Sequence, residues 1–77
     1  MNNLESPTTF GQQSVGLSFN PSQNPEVHAI KVNVARFIDQ MHELRNTTSD
    51  PEVKRMASVA ITEAQTAQMW AVKAITW

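Results

Sequence analysis

Cysteine is absent from this 77-residue chain, and other routes to covalent or metal-based stability are lacking as well. Without cysteine there is neither a disulfide nor a thiolate metal site. The two histidines, His28 and His42, stand well apart in the sequence, so no metal site is expected. A chain this short buries only roughly 60% of its unfolded surface, which leaves association with further chains as the remaining source of stability.

An excess of charge of either sign is also missing. Six Lys and Arg oppose seven Asp and Glu, for a net charge of −1. Proteins that bind DNA by electrostatics have a basic patch or a pI above about 9, so no DNA binding is expected. Because there is neither a long apolar run nor a basic segment followed by an apolar one at the N-terminus, we expect no membrane span, no signal peptide and a cytosolic location.

The sequence also lacks recognised catalytic motifs. The sequence contains no GxGxxG, P-loop, HExxH or GxSxG pattern. Glu63 stands alone on a mostly uncharged segment, where a hydrogen bond between subunits is a commoner role for a carboxylate than catalysis. We therefore expect no catalytic residue, no cofactor and no enzyme activity.

The chain divides by composition into a polar N-terminal part and a helical part. Residues 1–15 are rich in Asn, Gln, Ser and Thr, which predicts a flexible segment, and residues 16–77 are expected to form an arm followed by a helical hairpin. Four apolar residues along the polar part suggest that some of the arm docks on the body: Phe10, Val15, Leu17 and Phe19.

Two similar segments predict where the helices begin. Asn24-Pro25-Glu26 and Asp50-Pro51-Glu52 each combine an N-cap, a proline at the first helical position and an acidic residue near the positive end of the helix dipole. Helices are predicted over about 25–45 and 51–76. The predicted fold class is all-α, an antiparallel two-helix hairpin preceded by an extended N-terminal arm.

The second helix carries apolar residues on most of its circumference, and one partner helix cannot cover them all. A helical homo-oligomer is therefore expected. The candidate interface residues are Met69, Trp70, Ile75 and Trp77.

A candidate ligand site lies around the start of the first helix. Phe19, Asn20, Pro21 and Ser22 precede that helix, and Lys31 follows in its second turn. A lysine suits contact with a phosphate, an aromatic ring stacks on a base, and short polar side chains add hydrogen bonds. Simpler interpretations remain open: Lys31 as a solvated lysine, and Phe19 as a hydrophobic cover on the base of the helix.

Several of these segments resemble the phage anti-CBASS sponge family, whose members bind cyclic oligonucleotides through a helical-hairpin domain. The resemblance covers roughly residues 16–77. It rests on Asp50-Pro51, Thr62–Thr66, Met69, Lys73-Ala74 and Ile30-Lys31.

This resemblance implies a compact hexamer that holds cyclic di- or trinucleotides, such as cyclic GMP-AMP, without cleaving them. It also implies that Lys31 contacts phosphate and that an aromatic residue before the first helix stacks on a base. Family members usually have Tyr in a Gly-Tyr-Arg context, whereas the nearest aromatic here is Phe19. Some members have a basic residue where this chain has Ile61, so a dinucleotide pocket is favoured over a trinucleotide one.

The functional hypothesis is a phage immune-evasion protein that sequesters cyclic nucleotide messengers in the host cell cytoplasm. The alternative is a small helical oligomer that inhibits a host protein by direct surface contact. The alternative predicts that Lys31→Ala leaves activity intact, whereas Trp70→Ala disrupts assembly. Sequestration predicts that Lys31→Ala loses the ligand but keeps the oligomer.

Overall fold

A computed structural model describes residues 8–77 of the chain and shows three helices in this part. Helix α1 spans Phe10–Val15, α2 spans Pro25–Thr47 and α3 spans Pro51–Ile75. Helices α2 and α3 form a hairpin, so the predicted all-helical hairpin is confirmed. Within residues 8–77, no helix combines the length and apolarity needed to cross a membrane.

Both long helices begin at the segments that the sequence indicates. The Asn24 side chain accepts hydrogen bonds from the backbone N–H groups of Glu26 and Val27, at 2.8 and 3.2 Å. The Asp50 side chain accepts one from Glu52, at 2.9 Å. These bonds satisfy N–H groups that have no partner inside the helix, which fixes where each helix starts.

The core between the helices is small. Its buried members come from all three helices, and Ile38 is completely inaccessible. They are Val15, Ala35, Ile38 and Ile61. Apolar residues recur along α2 at every third or fourth position, and this spacing predicts that Phe37 and Leu44 are buried, yet both are exposed. The buried face of α2 therefore differs from the one that the spacing predicts, because this helix packs against α1 as well as α3.

The N-terminal part contains a helix that the sequence analysis does not anticipate. Residues 1–7 lie outside the described range, but residues 10–15 form α1 rather than a flexible or extended arm. Thr9 and Gln12 form a reciprocal capping box at its start, and Gly16, with φ 62°, ends it. Such a box satisfies two N–H groups, which helps even a six-residue helix to form.

Helix α1 is held close to α2 by Gly11. Its N–H donates to Asp39 Oδ1 at 2.7 Å, and a Cβ at this position would collide with the carbonyl oxygen of Ala35. One residue earlier, the Phe10 ring stacks on His42 with centroids 4.1 Å apart. These contacts fix α1, and with it the loop that follows, on the surface of α2.

Candidate functional site

Lys31 anchors the loop between α1 and α2. It lies in the second turn of α2, with only 5% of its surface exposed. Its ammonium group donates to the carbonyl oxygens of Gly16 at 3.0 Å and Phe19 at 2.6 Å. The solvated-lysine interpretation is therefore wrong for this structure, because these carbonyls replace water around the charge.

The charge of Lys31 has no carboxylate partner within the part of the chain that the structure describes. The ion pair found there joins Arg55 to Glu52, on the exposed first turn of α3, where the Arg55 guanidinium holds the pKa of the Glu52 carboxyl below its usual range. A buried charge is costly unless it is paired. An ammonium has three donors, and two of those of Lys31 are occupied. A ligand with negative charge near this loop would therefore be stabilised electrostatically.

Phe19 presents its ring to solvent directly above this charge. The side chain is 73% exposed, and the Lys31 ammonium lies 5.6 Å from the ring centroid. A residue that mainly covers the base of a helix would be more deeply buried, so the structure does not favour that interpretation. The exposed face of the ring is available for stacking on a planar group.

Asn20, Pro21 and Ser22 have different positions in the loop. Asn20 holds the turn together, since its side chain donates to the carbonyl of Asn24 at 2.8 Å and accepts from its N–H at 3.1 Å. Pro21 and Ser22 are exposed. The first N–H groups of α2 are occupied by the Asn24 side chain, so the helix start offers few free donors to an anion.

A cleft of about 860 Å³ lies beside this loop, between α1 and the first turn of α2. Its size is within the range of small-molecule sites, roughly 300–1,000 Å³. Of the five predicted ligand residues, only Asn20 lines it. The sequence analysis misses the other polar lining residues because their contribution depends on the docking of α1; they include Gln12, Gln13, Gln23 and His28.

The predicted interface residues lie near the end of α3. Met69, Trp70 and Trp77 are 61%, 65% and 94% exposed, whereas Ile75 is half-buried. Lys73 lies between the two indoles, with its ammonium 5.2 Å from the Trp70 ring and 5.8 Å from that of Trp77. A large apolar surface is therefore concentrated at this end of the hairpin, which is typical of an interaction surface.

The remaining candidates for chemistry lie apart from one another. Glu63 is exposed on α3. Among residues 8–77, no three His, Asp or Glu side chains are close enough to hold a metal ion. The described polar groups thus suit binding through stacking, hydrogen bonds and one buried cation.

Comparison with known proteins agrees with this geometry. A family model described as the Acb2/Tad1 hairpin domain matches residues 12–76, which is most of the chain and includes α2 and α3. No curated protein and no solved structure gives a significant match. The chain therefore belongs to the Acb2/Tad1 hairpin family, the anti-CBASS sponges that sequester cyclic nucleotides, as the resemblance in its sequence predicts.

Proposed function

We propose that this protein binds cyclic di- or trinucleotide second messengers of bacterial anti-phage signalling and holds them without cleaving them. Phe19 stacks on a base, Lys31 neutralises phosphate charge, and Asn20, Pro21 and Ser22 form the turn beside the ligand. The protein acts in the cytoplasm of the phage-infected host cell.

The buried ammonium beneath an exposed aromatic ring is the observation that carries this proposal. Lys31 has two carbonyl partners and no carboxylate partner within the described chain, and Phe19 offers a stacking surface next to it. A cyclic nucleotide combines anionic phosphodiesters with planar bases, so one ligand satisfies both features. Stacking of a base on an aromatic side chain contributes roughly 1–3 kcal/mol.

Sequestration requires affinity and not chemistry. When the concentration of sites exceeds both the messenger concentration and the dissociation constant, the free messenger falls below the level that its effector needs. The family acts by binding, and the described side chains around the loop supply contacts rather than a nucleophile and a base. The host response therefore stays off for as long as the complex persists.

The binding unit in this proposal is a homo-oligomer, with six chains as the number that the resemblance implies. Met69, Trp70 and Trp77 expose the apolar surface that a neighbouring chain would cover, and Ile75 supports it from a half-buried position. The cleft beside the loop is open in the single chain, so a neighbouring subunit would complete its walls.

A calorimetric titration with a panel of cyclic di- and trinucleotides tests the proposal. We expect binding at micromolar concentrations or below, and recovery of intact ligand after the complex is heated. Phe19→Leu should weaken binding by roughly 5- to 150-fold because the ring is lost, whereas Phe19→Tyr should bind like the wild type. Absence of binding across the whole panel contradicts the proposal, and recovery of linear products indicates a phosphodiesterase.

Direct inhibition of a host protein is the second candidate, and the exposed Trp70–Lys73–Trp77 surface is the observation that favours it. In that case Phe19→Leu would leave anti-immune activity in infected cells unchanged. Sequestration requires that the same variant lose activity in proportion to its loss of affinity.

A further inference from the structure

Gln23 has a backbone conformation that is unfavourable for its residue type. Its φ is 52°, and it is the one non-glycine residue with positive φ among residues 8–77. Glycine adopts this left-handed region without strain, while a residue with a long side chain does not. Strained residues of this kind are frequently found where a side chain has a function.

The Gln23 side chain differs from the other amides that line the cleft. Asn20 bonds with Asn24, Gln12 accepts from Thr9, and Gln13 donates to Thr8. The carboxamide of Gln23 makes no hydrogen bond to another residue in the described range, and it is exposed at the wall of the cleft. With respect to residues 8–77, both its donor and its acceptor are therefore available to a ligand.

We propose that Gln23 determines base specificity by forming two hydrogen bonds with the edge of an adenine that occupies the cleft. This inference rests on the proposed function, with a second base of the same cyclic nucleotide stacked on Phe19. A carboxamide presents one acceptor and one donor side by side, which matches the amino group and the neighbouring ring nitrogen of adenine.

Guanine fits the same position less well. Its Watson–Crick edge presents three groups in a row, so a single carboxamide satisfies two of them and leaves the 2-amino group without a partner. No Asp or Glu is among the lining residues of the cleft, so a charged acceptor for that amino group is missing on the described wall. Once the neighbouring subunit of the proposed oligomer closes the cleft, that amino group loses its water without gaining a charged acceptor, which favours adenine.

Titration of the full chain with cyclic di-AMP and cyclic di-GMP tests this inference. The wild type should bind cyclic di-AMP at least about tenfold more tightly than cyclic di-GMP. Gln23→Gly should lose that preference, with about tenfold weaker binding of cyclic di-AMP, and yet melt at a higher temperature because the backbone strain is removed. Gln23→Glu should favour cyclic di-GMP, since a carboxylate accepts from two guanine donors.

Gln40→Ala is the matched control, because Gln40 is an exposed amide on α2 outside the cleft. It should leave both affinities unchanged. The inference is overturned if Gln23→Gly binds cyclic di-AMP like the wild type, or if the preference between the two ligands is the same in all variants. If the wild type binds no cyclic nucleotide, sequestration itself fails and this inference fails with it.

Discussion

Lys31 shows how one side chain can be part of both the fold and the candidate site. Its ammonium joins two carbonyls in the loop that carries Phe19, so the position of the ring depends on the lysine. The same charge is placed where a phosphate would be attracted. Loss of ligand in a Lys31 variant therefore does not by itself prove a direct contact, and the state of the loop has to be measured separately.

Lys31→Met should destabilise the protein by about 1–3 kcal/mol, because two partly buried carbonyls lose a charged donor. It should also increase amide hydrogen exchange in the loop of residues 16–20 in the absence of ligand. Urea unfolding and exchange mass spectrometry measure the two effects.

Lys54→Met is the control for this substitution. The Lys54 ammonium donates to one backbone carbonyl, that of Arg45, at 3.0 Å, but at an exposed position. Its loss should change stability by less than about 1 kcal/mol and leave exchange in the loop unaltered. Equal effects of the two substitutions would contradict the anchoring role of Lys31.

The two glycines should respond differently to the same substitutions. Gly11→Ala should cost about 1–3 kcal/mol, because a methyl group collides with the backbone of Ala35. Gly16→Ala should cost about 1–2 kcal/mol for a different reason, its left-handed backbone.

Substitution by asparagine distinguishes a steric collision at Gly11 from backbone strain at Gly16. Asn tolerates the left-handed region, so Gly16→Asn should be more stable than Gly16→Ala, whereas Gly11→Asn should be no better than Gly11→Ala. Urea unfolding midpoints of the four variants provide the measurement. A Gly11→Asn protein as stable as the wild type would show that α1 is not held by close approach.

At the scale of the elements, α1 decides the shape of the candidate site. It supplies one wall of the cleft, and its end provides one of the carbonyls that Lys31 binds. Six residues form an unstable helix in isolation. The docking of α1 through Gly11 and Phe10 is therefore what makes it persist.

The two long helices should differ in how much their caps contribute. The Asn24 side chain accepts from two N–H groups, whereas that of Asp50 accepts from one. Asn24→Ala should therefore cost about 1–2 kcal/mol and Asp50→Ala about 0.5–1 kcal/mol. Chemical denaturation of the two variants checks the order, and a larger loss at Asp50 would show that the second hydrogen bond accepted by Asn24 adds nothing.

At the scale of the whole molecule, a small core contrasts with a large exposed apolar surface. Ile38 is the largest side chain that is fully buried in the described chain, while two tryptophans lie largely in solvent. Burying apolar surface yields roughly 25 cal/mol per Å², and the indoles are the largest side chains available for it. The proposed association through the end of α3 would therefore bury more apolar surface than any single side chain of the core does.

Trp70→Glu should shift the protein toward its monomer mass of 8.6 kDa, because a large apolar side chain is lost and burying a carboxylate is costly even beside Lys73. Sedimentation velocity at micromolar concentration measures the mass of wild type and variant. Met56→Glu, at an exposed position near the start of α3, is the control and should leave the assembly intact. A wild type that sediments as a monomer would contradict the proposed oligomer.

The sequence alone determined the features that depend on neighbours along the chain. The helix starts at Pro25 and Pro51 follow from cap, proline and acid within three residues, and these contacts are local. The family was also identifiable, since its motifs are carried by the two long helices. Even α1 had a local signal, the Thr9–Gln12 capping box and Gly16, but the polar composition of the segment concealed it.

Only the tertiary structure decided which side chains meet. Lys31 is polar and lies off the apolar stripe of α2, yet it is buried because a loop 15 residues earlier in the chain folds over it. The cleft, with Gln23 on its wall, likewise exists only once α1 is docked. Such placements depend on packing between segments distant in sequence, and the periodicity of a single helix carries no information about them.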